Sequence, residues 1–235
     1  MSRSTLRGSA ITAEIRKAQA AAAAAPVDPK TIKKYAKDKA AAAAAPKGAG
    51  EIRIIGGHWK RTRLPVAQRP GLRPTPDRVR ETLFNWLGQD LSGWRCLDAF
   101  AGTGALGLEA ASRGAASVQL VESDAALVAQ LQVLQAKLQA SAVRVQRGDG
   151  VAALKQAAPA SVDLVLLDPP FDGELFAPAL QAAAKAVATQ GFIYLEAPRA
   201  WTDEELAGSG LAVYRHLKAG AVHAHLLRPV AATTE

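Results

Sequence analysis

Residues 96–114 read CLDAFAGTGALGLEAASRG. A short apolar run ends in a carboxylate, three glycines follow at 102, 104 and 107, and an apolar-faced segment then runs to Gly114. Strand, glycine turn, helix is the opening unit of a nucleotide-type α/β sheet, where glycine lets backbone approach a ligand closely and populates turn conformations that other residues avoid. This stretch predicts the fold class, because the chain after it repeats the same alternation.

SVQLVES is the next strand, DAALVAQLQVLQAKLQ a helix with Leu127, Leu131, Leu134 and Leu138 on one face, and AVRVQ a third strand. GVAALKQAA is a short helix, DLVLLD a strand, ELFAPALQAAAKAVA a helix, GFIYLEA a strand and TDEELAGS a short helix. Near-continuously apolar strands separated by helices imply a parallel sheet covered on both faces. LAVYRHL and AVHAHLL follow with only a short link, so they must pair antiparallel. The expectation is a Rossmann-like, mostly parallel doubly wound α/β sheet with an antiparallel last strand.

Ahead of this unit, residues 51–92 predict a smaller region. IRII, GG and HWKRTRL read as a β-hairpin closed by a two-residue turn at Gly56-Gly57. TPDRVRETLFNWLG reads as a helix with Thr75 as N-cap, Pro76 at its first position, Val79, Leu83 and Trp86/Leu87 on its apolar face, and Gly88 as its stop. Residues 1–50 hold two alanine hexads and a lysine-rich segment and are expected to be a disordered extension. The division is therefore 1–50, 51–92 and 93–235, the last being the sheet domain.

Charge divides the chain the same way. Residues 1–80 carry 18 Lys+Arg and 5 Asp+Glu, a net of +13. The remainder carries 29 − 18 = 11 and 21 − 5 = 16, a net of −5. A basic front on an acidic body suggests a polyanionic partner. No stretch approaches the apolar length of a membrane span, which speaks against a membrane partner. The basic, alanine-rich start is a poor signal peptide because Glu14, Arg16 and Lys17 abut the alanine run. A lone cysteine, Cys96, fits a cytoplasmic protein. His223 and His225 share a strand face without a third ligand at metal spacing, so sheet-surface histidines and no metal are expected.

Ligands of such sheets bind at the carboxyl ends of the strands. Four of those ends or their following turns carry acids: Asp98, Glu122, Asp149 and Asp168. The glycine pattern with Glu122 is also the dinucleotide fingerprint, so an NAD(P) oxidoreductase competes. Asp98 would oppose a pyrophosphate in that loop, whereas it favours the ammonium and sulfonium of S-adenosylmethionine. In that reading Asp98, Phe100, Gly102 and Gly104 form the cofactor loop, Glu122 takes the ribose hydroxyls and Asp149 the adenine amine, helix capping being the plain alternative for Asp98 and Asp149.

The fourth strand ends LVLLDPPFDG (164–173). Proline fixes its own φ and holds the preceding residue extended, so the Asp168 carboxylate and the Pro169 carbonyl are set in place, and neither proline offers an N–H. A site rich in acceptors suits an amino group, and Phe171 supplies a ring for stacking a base. Asp168, Pro169, Pro170 and Phe171 are the candidate catalytic set. Two acceptors on one amine would localise its lone pair for an in-line displacement, in which alignment is much of the work.

DPPF resembles the tetrapeptide of amino-group methyltransferases. RIIGGHWKRTRLPV (53–66), GLRPTPDRVRETLFNWL (71–87), CLDAFAGTGALGLEAASRGA (96–115) and LVLLDPPF (164–171) together resemble the RsmD family of 16S rRNA guanine-N2 methyltransferases, over about residues 51–230. The resemblance implies S-adenosylmethionine as cofactor and, as partner, 16S rRNA in the small ribosomal subunit. The helix after the second strand runs LQVLQ where the family often has an Asn-Leu pair. Arg53, Lys60, Arg61, Arg63, Arg69, Arg73, Arg78 and Arg80, with Trp59, make a basic stretch suited to RNA. Arg73, Arg78, Trp59 and Arg61 are the candidate substrate-binding residues. An adenine-N6 methyltransferase and a non-catalytic RNA-binding assembly factor are alternatives, and a monomer is expected.

Overall fold

The computed structural model describes residues 50–66, 75–170 and 174–230. The extension expected over 1–50 lies, apart from Gly50, outside them, as do Arg69, Arg73 and Phe171.

The chain opens with β1 (Gly50–Arg53) and β2 (Arg63–Val66), paired antiparallel, and helix α1 (Asp77–Leu87). The main body follows as β3 (Arg95–Asp98), α2 (Ala105–Ser112), β4 (Ser117–Glu122), α3 (Ala125–Lys137), β5 (Val143–Arg147), α4 (Gly150–Gln156) and β6 (Val162–Leu167). It ends with α5 (Phe176–Ala186), β7 (Val187–Ala197), α6 (Asp203–Leu206), a 3-10 turn, β8 (Leu211–Ala219) and β9 (Val222–Pro229). The main sheet has the order β5-β4-β3-β6-β7-β9-β8. Its first five strands are mutually parallel, and β9 is antiparallel to both neighbours. The order reverses between β3 and β6, which is where a doubly wound sheet opens a crevice above its strand ends.

Strand residues alternate between two cores. Cys96, Leu164, Leu166 and Tyr194 face α2, α3, α1 and the hairpin, whereas Leu97, Val165, Leu167 and Leu195 face α4, α5 and α6. Leu127, Leu131 and Leu134 of α3 are buried, and Cys96 is a buried core residue, as their pattern predicts.

Several local expectations are corrected. The hairpin exists, but residues 54–62 connect its strands, and Gly56-Gly57 is not its turn. A Cβ on Gly57, whose φ is +73°, would stand 1.8 Å from the Ser112 carbonyl oxygen. The glycine pair lets this connection press onto the end of α2, and the loop closes instead through Ile54 N to Thr62 O and Arg61 N to Ile54 O. Helix α1 begins after Pro76 rather than after a capping Thr75; Thr75 is buried, and its carbonyl accepts from Arg80. Strand β7 starts directly at Val187, so Val187 and Ala188 are strand and not the end of the preceding helix; Val187 pairs with Val162, and a register shift follows before Leu164 meets Phe192.

Arg80 is not part of an RNA-facing surface. It is 1% exposed and reaches Glu109, itself 0% exposed, at 3.3 Å, Asp77 at 2.5 Å and the Arg53 carbonyl at 3.0 Å. Glu109 also accepts from Ile55 N at 2.9 Å, Gly56 N at 2.7 Å and Arg113 Nε at 3.0 Å. One buried carboxylate on α2 therefore ties the hairpin, α1 and the sheet domain together.

The histidines are likewise corrected. Because β9 lies between β7 and β8, His225 is fully buried, and Trp201 N donates to its Nε2 at 3.0 Å. Burial first, and then His216, holds His225 down at about 4. His216 stacks on both His223 and His225.

Candidate active site

The sheet brings the predicted carboxylates to one rim. Asp98 ends β3 and pairs with Leu166 of the adjacent strand β6, two residues before Asp168. Asp98 is 2% exposed, and its Oδ2 accepts from Gly107 N at 3.1 Å. It thus braces the first turn of α2 from beneath the glycine loop. Burial, and secondarily the charges of Asp168 and Glu122, push Asp98 up to about 7. Three carboxylates within electrostatic reach of one another make a field that attracts cations and repels phosphate.

The loop between β3 and α2 is shaped by two left-handed glycines, Gly102 at φ +52° and Gly104 at φ +79°. A Cβ on Gly104 would come within 2.5 Å of Leu131, so this turn also packs tightly on α3. Glu122 holds the loop from β4: Oε2 accepts from Gly102 N at 2.8 Å and Oε1 from Asp124 N at 2.8 Å. A carboxylate has acceptor capacity beyond two such bonds, so Glu122 can also take a diol. Phe100 lies in the same loop, against Gly150, where a Cβ would be 2.0 Å from the Ala99 carbonyl. Asp149 is exposed and caps α4 by accepting from Ala152 N, which is the plain alternative weighed for it.

Asp168 is half-buried, Pro169 buried and Pro170 exposed. The carbonyl and carboxylate of Asp168-Pro169 therefore stand beside Asp98 at the switch point of the sheet, and no Lys or Arg occurs between residues 96 and 112.

Of the substrate candidates, Trp59 and Arg61 lie away from this rim, and Arg73 is outside the described residues. Arg78 is exposed at the start of α1. Trp59 and Arg61 lie on the 54–62 connection, which docks at the other end of α2 through His58 N to Ser112 O and Trp59 N to Ser112 Oγ at 2.9 Å. Helix α2 runs back along the sheet, so that end lies level with the starts of the strands. Trp59 is partly buried against the core, and Arg61 lines a cleft of about 510 Å³ with Arg53, Lys60, Asn85 and Gln89. Arg53 and Arg63 are paired with Asp77 and Glu51.

One rim carboxylate escapes the sequence reading. Glu196, in β7, is 4% exposed, and Tyr194 donates its hydroxyl to Glu196 Oε1 at 3.0 Å. Its signal was the acid one residue before the end of GFIYLEA, close to a strand end like the other four.

A family model described as conserved hypothetical protein 95 matches residues 52–228. Ribosomal RNA small subunit methyltransferase D of Escherichia coli (strain K12) is 52% identical over 124 residues, a match covering 53% of this chain and 62% of that protein, so the chain spans less than two thirds of that relative's length. The protein of the same name from Haemophilus influenzae is 38% identical over 184 residues, 72% of this chain and 95% of that one. Among solved structures, "Putative methyltransferase yhhF from Escherichia coli" superposes with a TM-score of 0.66 at 37% identity, covering 77% of this chain and 99% of that one. With more than half of its length inside the family model and the Haemophilus relative covered almost end to end, the chain belongs to the conserved hypothetical protein 95 family, which is the RsmD family.

Proposed function

We propose that the chain methylates the exocyclic N2 amine of a guanine in 16S rRNA, using S-adenosylmethionine, during assembly of the small ribosomal subunit. The observation that carries this is the pair of fixed acceptors at Asp168-Pro169, set beside the buried Asp98 where the strand order reverses. The relatives named ribosomal RNA small subunit methyltransferase D support the RNA as substrate.

The residues divide the work. Asp98, Phe100, Gly102 and Gly104 line the cofactor's place, with Glu122 on its ribose and the exposed Asp149 on its adenine. The acidic field over this loop fits the cationic end of S-adenosylmethionine and disfavours a dinucleotide's pyrophosphate, which argues against an oxidoreductase. S-adenosylmethionine supplies a methyl group bonded to a positive sulfur, so no metal is required. Asp168 and the Pro169 carbonyl accept the two amine hydrogens, draw the nitrogen towards a pyramidal geometry and stabilise the positive charge that grows on it. Phe171 is assigned the stacking of the base. The proton leaves after transfer, so Asp168 acts as an acceptor and not as a strong base.

A target guanine must leave its stack to reach this rim, which requires RNA to be held outside the pocket. Arg78 and Arg73 are assigned to the RNA phosphates, and Arg61 and Trp59 hold RNA at the opposite end of α2. The protein works as a cytoplasmic monomer on the ribosomal particle.

The test is methyl transfer from labelled S-adenosylmethionine to protein-free 16S rRNA, to small subunits lacking the modification and to DNA. The expected outcome is label at one guanine in the rRNA-containing substrates. Label in DNA alone, or in none of them, overturns the proposal.

A further inference from the structure

Three aromatic rings and two arginines meet towards the β8 edge of the main sheet, away from the reacting rim. Phe192 of β7 lies two residues before the buried Tyr194 and packs against the same core, so it projects from the sheet face that carries α1, α2 and the hairpin. Trp94, just ahead of β3, stacks on it with ring centroids 6.3 Å apart and planes 11° from parallel. Tyr214 of β8 also meets it, at 5.6 Å. Val213 pairs with Leu227 and Arg215 with Leu226, so Tyr214 is the extra residue of a β-bulge, a device that re-aims a side chain. It is 36% exposed. The guanidinium carbons of Arg215 and Arg228 lie 4.8 and 5.2 Å from its ring centroid.

Phe192, Tyr214 and Arg228 line a groove of about 530 Å³. The charge of the strands around it has one sign. Residues 206–234 hold Arg215, Lys218 and Arg228 but no Asp or Glu, and residues 187–195 hold none either. The groove also neighbours the basic cleft. Gln89 lines that cleft with Lys60 and Arg61, and Gln89 and Trp94 belong to the same connection between α1 and β3. Ring faces set beside cations are what single-stranded RNA uses: bases stack on aromatic and guanidinium planes, and phosphates meet the charge.

We propose that Tyr214, with Phe192, Arg215 and Arg228, stacks an unpaired base of the RNA substrate at a point remote from the base being methylated. The inference rests on the reading of the substrate as RNA, and on no choice of target base. Strand β8 stands three places from β6 in the sheet order, so about 14 Å of sheet separates Tyr214 from the strand that leads into Asp168. A nucleotide held at Tyr214 therefore anchors the RNA while a different base enters the rim.

The test uses the full chain and a fluorescently labelled oligouridine of about 12 nucleotides. Uracil has no exocyclic amine, so its binding does not call on the Asp168-Pro169 acceptors. In fluorescence anisotropy Tyr214→Ala should weaken binding about 10-fold, and Tyr214→Phe, which keeps the ring, should retain wild-type affinity. Arg228→Gln should weaken binding about 3- to 5-fold and flatten the slope of log affinity against log salt by about 0.7. With small subunits lacking the modification, Tyr214→Ala should raise KM about 10-fold, with the loss in KM and not in kcat. Failure of the wild type to bind oligouridine, or wild-type affinity in Tyr214→Ala, overturns the inference. If Tyr214→Ala does not fold, an unchanged salt slope in Arg228→Gln overturns it instead. An RNA-free chain that sediments as a dimer until Tyr214→Ala splits it also overturns it, because the surface is then an interface between copies. Tyrosine-dependent binding of oligouridine without methyl transfer to rRNA overturns the proposed function and leaves this site standing.

Discussion

Helix α2 meets glycines at both of its ends, and the two ends do opposite things. At its start, Gly102 and Gly104 turn the backbone at the rim, in a loop braced by Asp98 and Glu122. At its finish, Gly56 and Gly57 bring protein onto protein, and a Cβ on either would strike Arg113 or Ser112. A glycine pair in a sequence announces a close approach; it does not say what approaches. One end of α2 is the end proposed to face the cofactor, and the other has been filled by the chain's own hairpin.

If this contrast is right, changes at the filled end cost stability and changes at the open end cost chemistry. The largest effect is expected for Glu109→Ala. It strands Arg80 and Arg113 without their carboxylate and deprives Ile55 and Gly56 of an acceptor. Denaturant unfolding should register a loss of about 3–5 kcal/mol. Next, Asp168→Ala should lower methyl transfer about 10²- to 10³-fold with little change in melting temperature or in S-adenosylhomocysteine affinity. Loss of cofactor binding with transfer otherwise intact would contradict the role given to it. Gly57→Ala should cost about 2–3 kcal/mol through its positive φ and its contact with Ser112, again read by denaturant, with per-folded-molecule transfer retained.

The smallest effect is a pH dependence. Between about pH 4 and 7 the folded chain keeps a proton on Asp98 that the unfolded chain has released, so this group's contribution to stability falls as pH rises. His225 works in the other sense. Between about pH 4 and 6.5 the unfolded chain holds a proton that the buried imidazole lacks, so stability rises with pH. The two oppose each other. Asp98→Asn removes the first and should make the protein more acid-sensitive, by on the order of 1–2 kcal/mol between pH 7 and 5.5. In the wild type, affinity for the cationic cofactor should rise as pH climbs through about 7 and Asp98 ionises, and isothermal titration can measure it.

The local geometry at the start of α2 was largely legible in advance. Strand-end acids, glycines with turn geometry and a rigid Asp-Pro-Pro are local signals, and each carries its physical reason within a few residues. What was not legible depends on partners distant in the chain. Arg80 reads as one more cation in a basic stretch, and only its meeting with Glu109, 29 positions on, makes it a buried strut. Gly56-Gly57 satisfies every local rule for a tight hairpin turn, and Ser112 overrules them. His225 looks like a surface residue on an outer strand until β9 is seen to lie inside the sheet. Glu196 was missed for another reason, since nothing in LEA marks the strand beside it as the one that ends in Asp168.

The placement of β9 has a consequence for how the chain assembles. Strand β8 is made first but finds no partner in β7; both wait for β9, which pairs with each of them antiparallel. Until that insertion, two strands present unmatched edges, the condition under which chains aggregate or swap segments. The hairpin of β8 and β9 is joined by a two-residue link, so it can close locally, and pairing of β9 with β7 covers the β7 edge beside Glu196. The edge beside the rim is thus covered by β9, the last strand in chain order among those described.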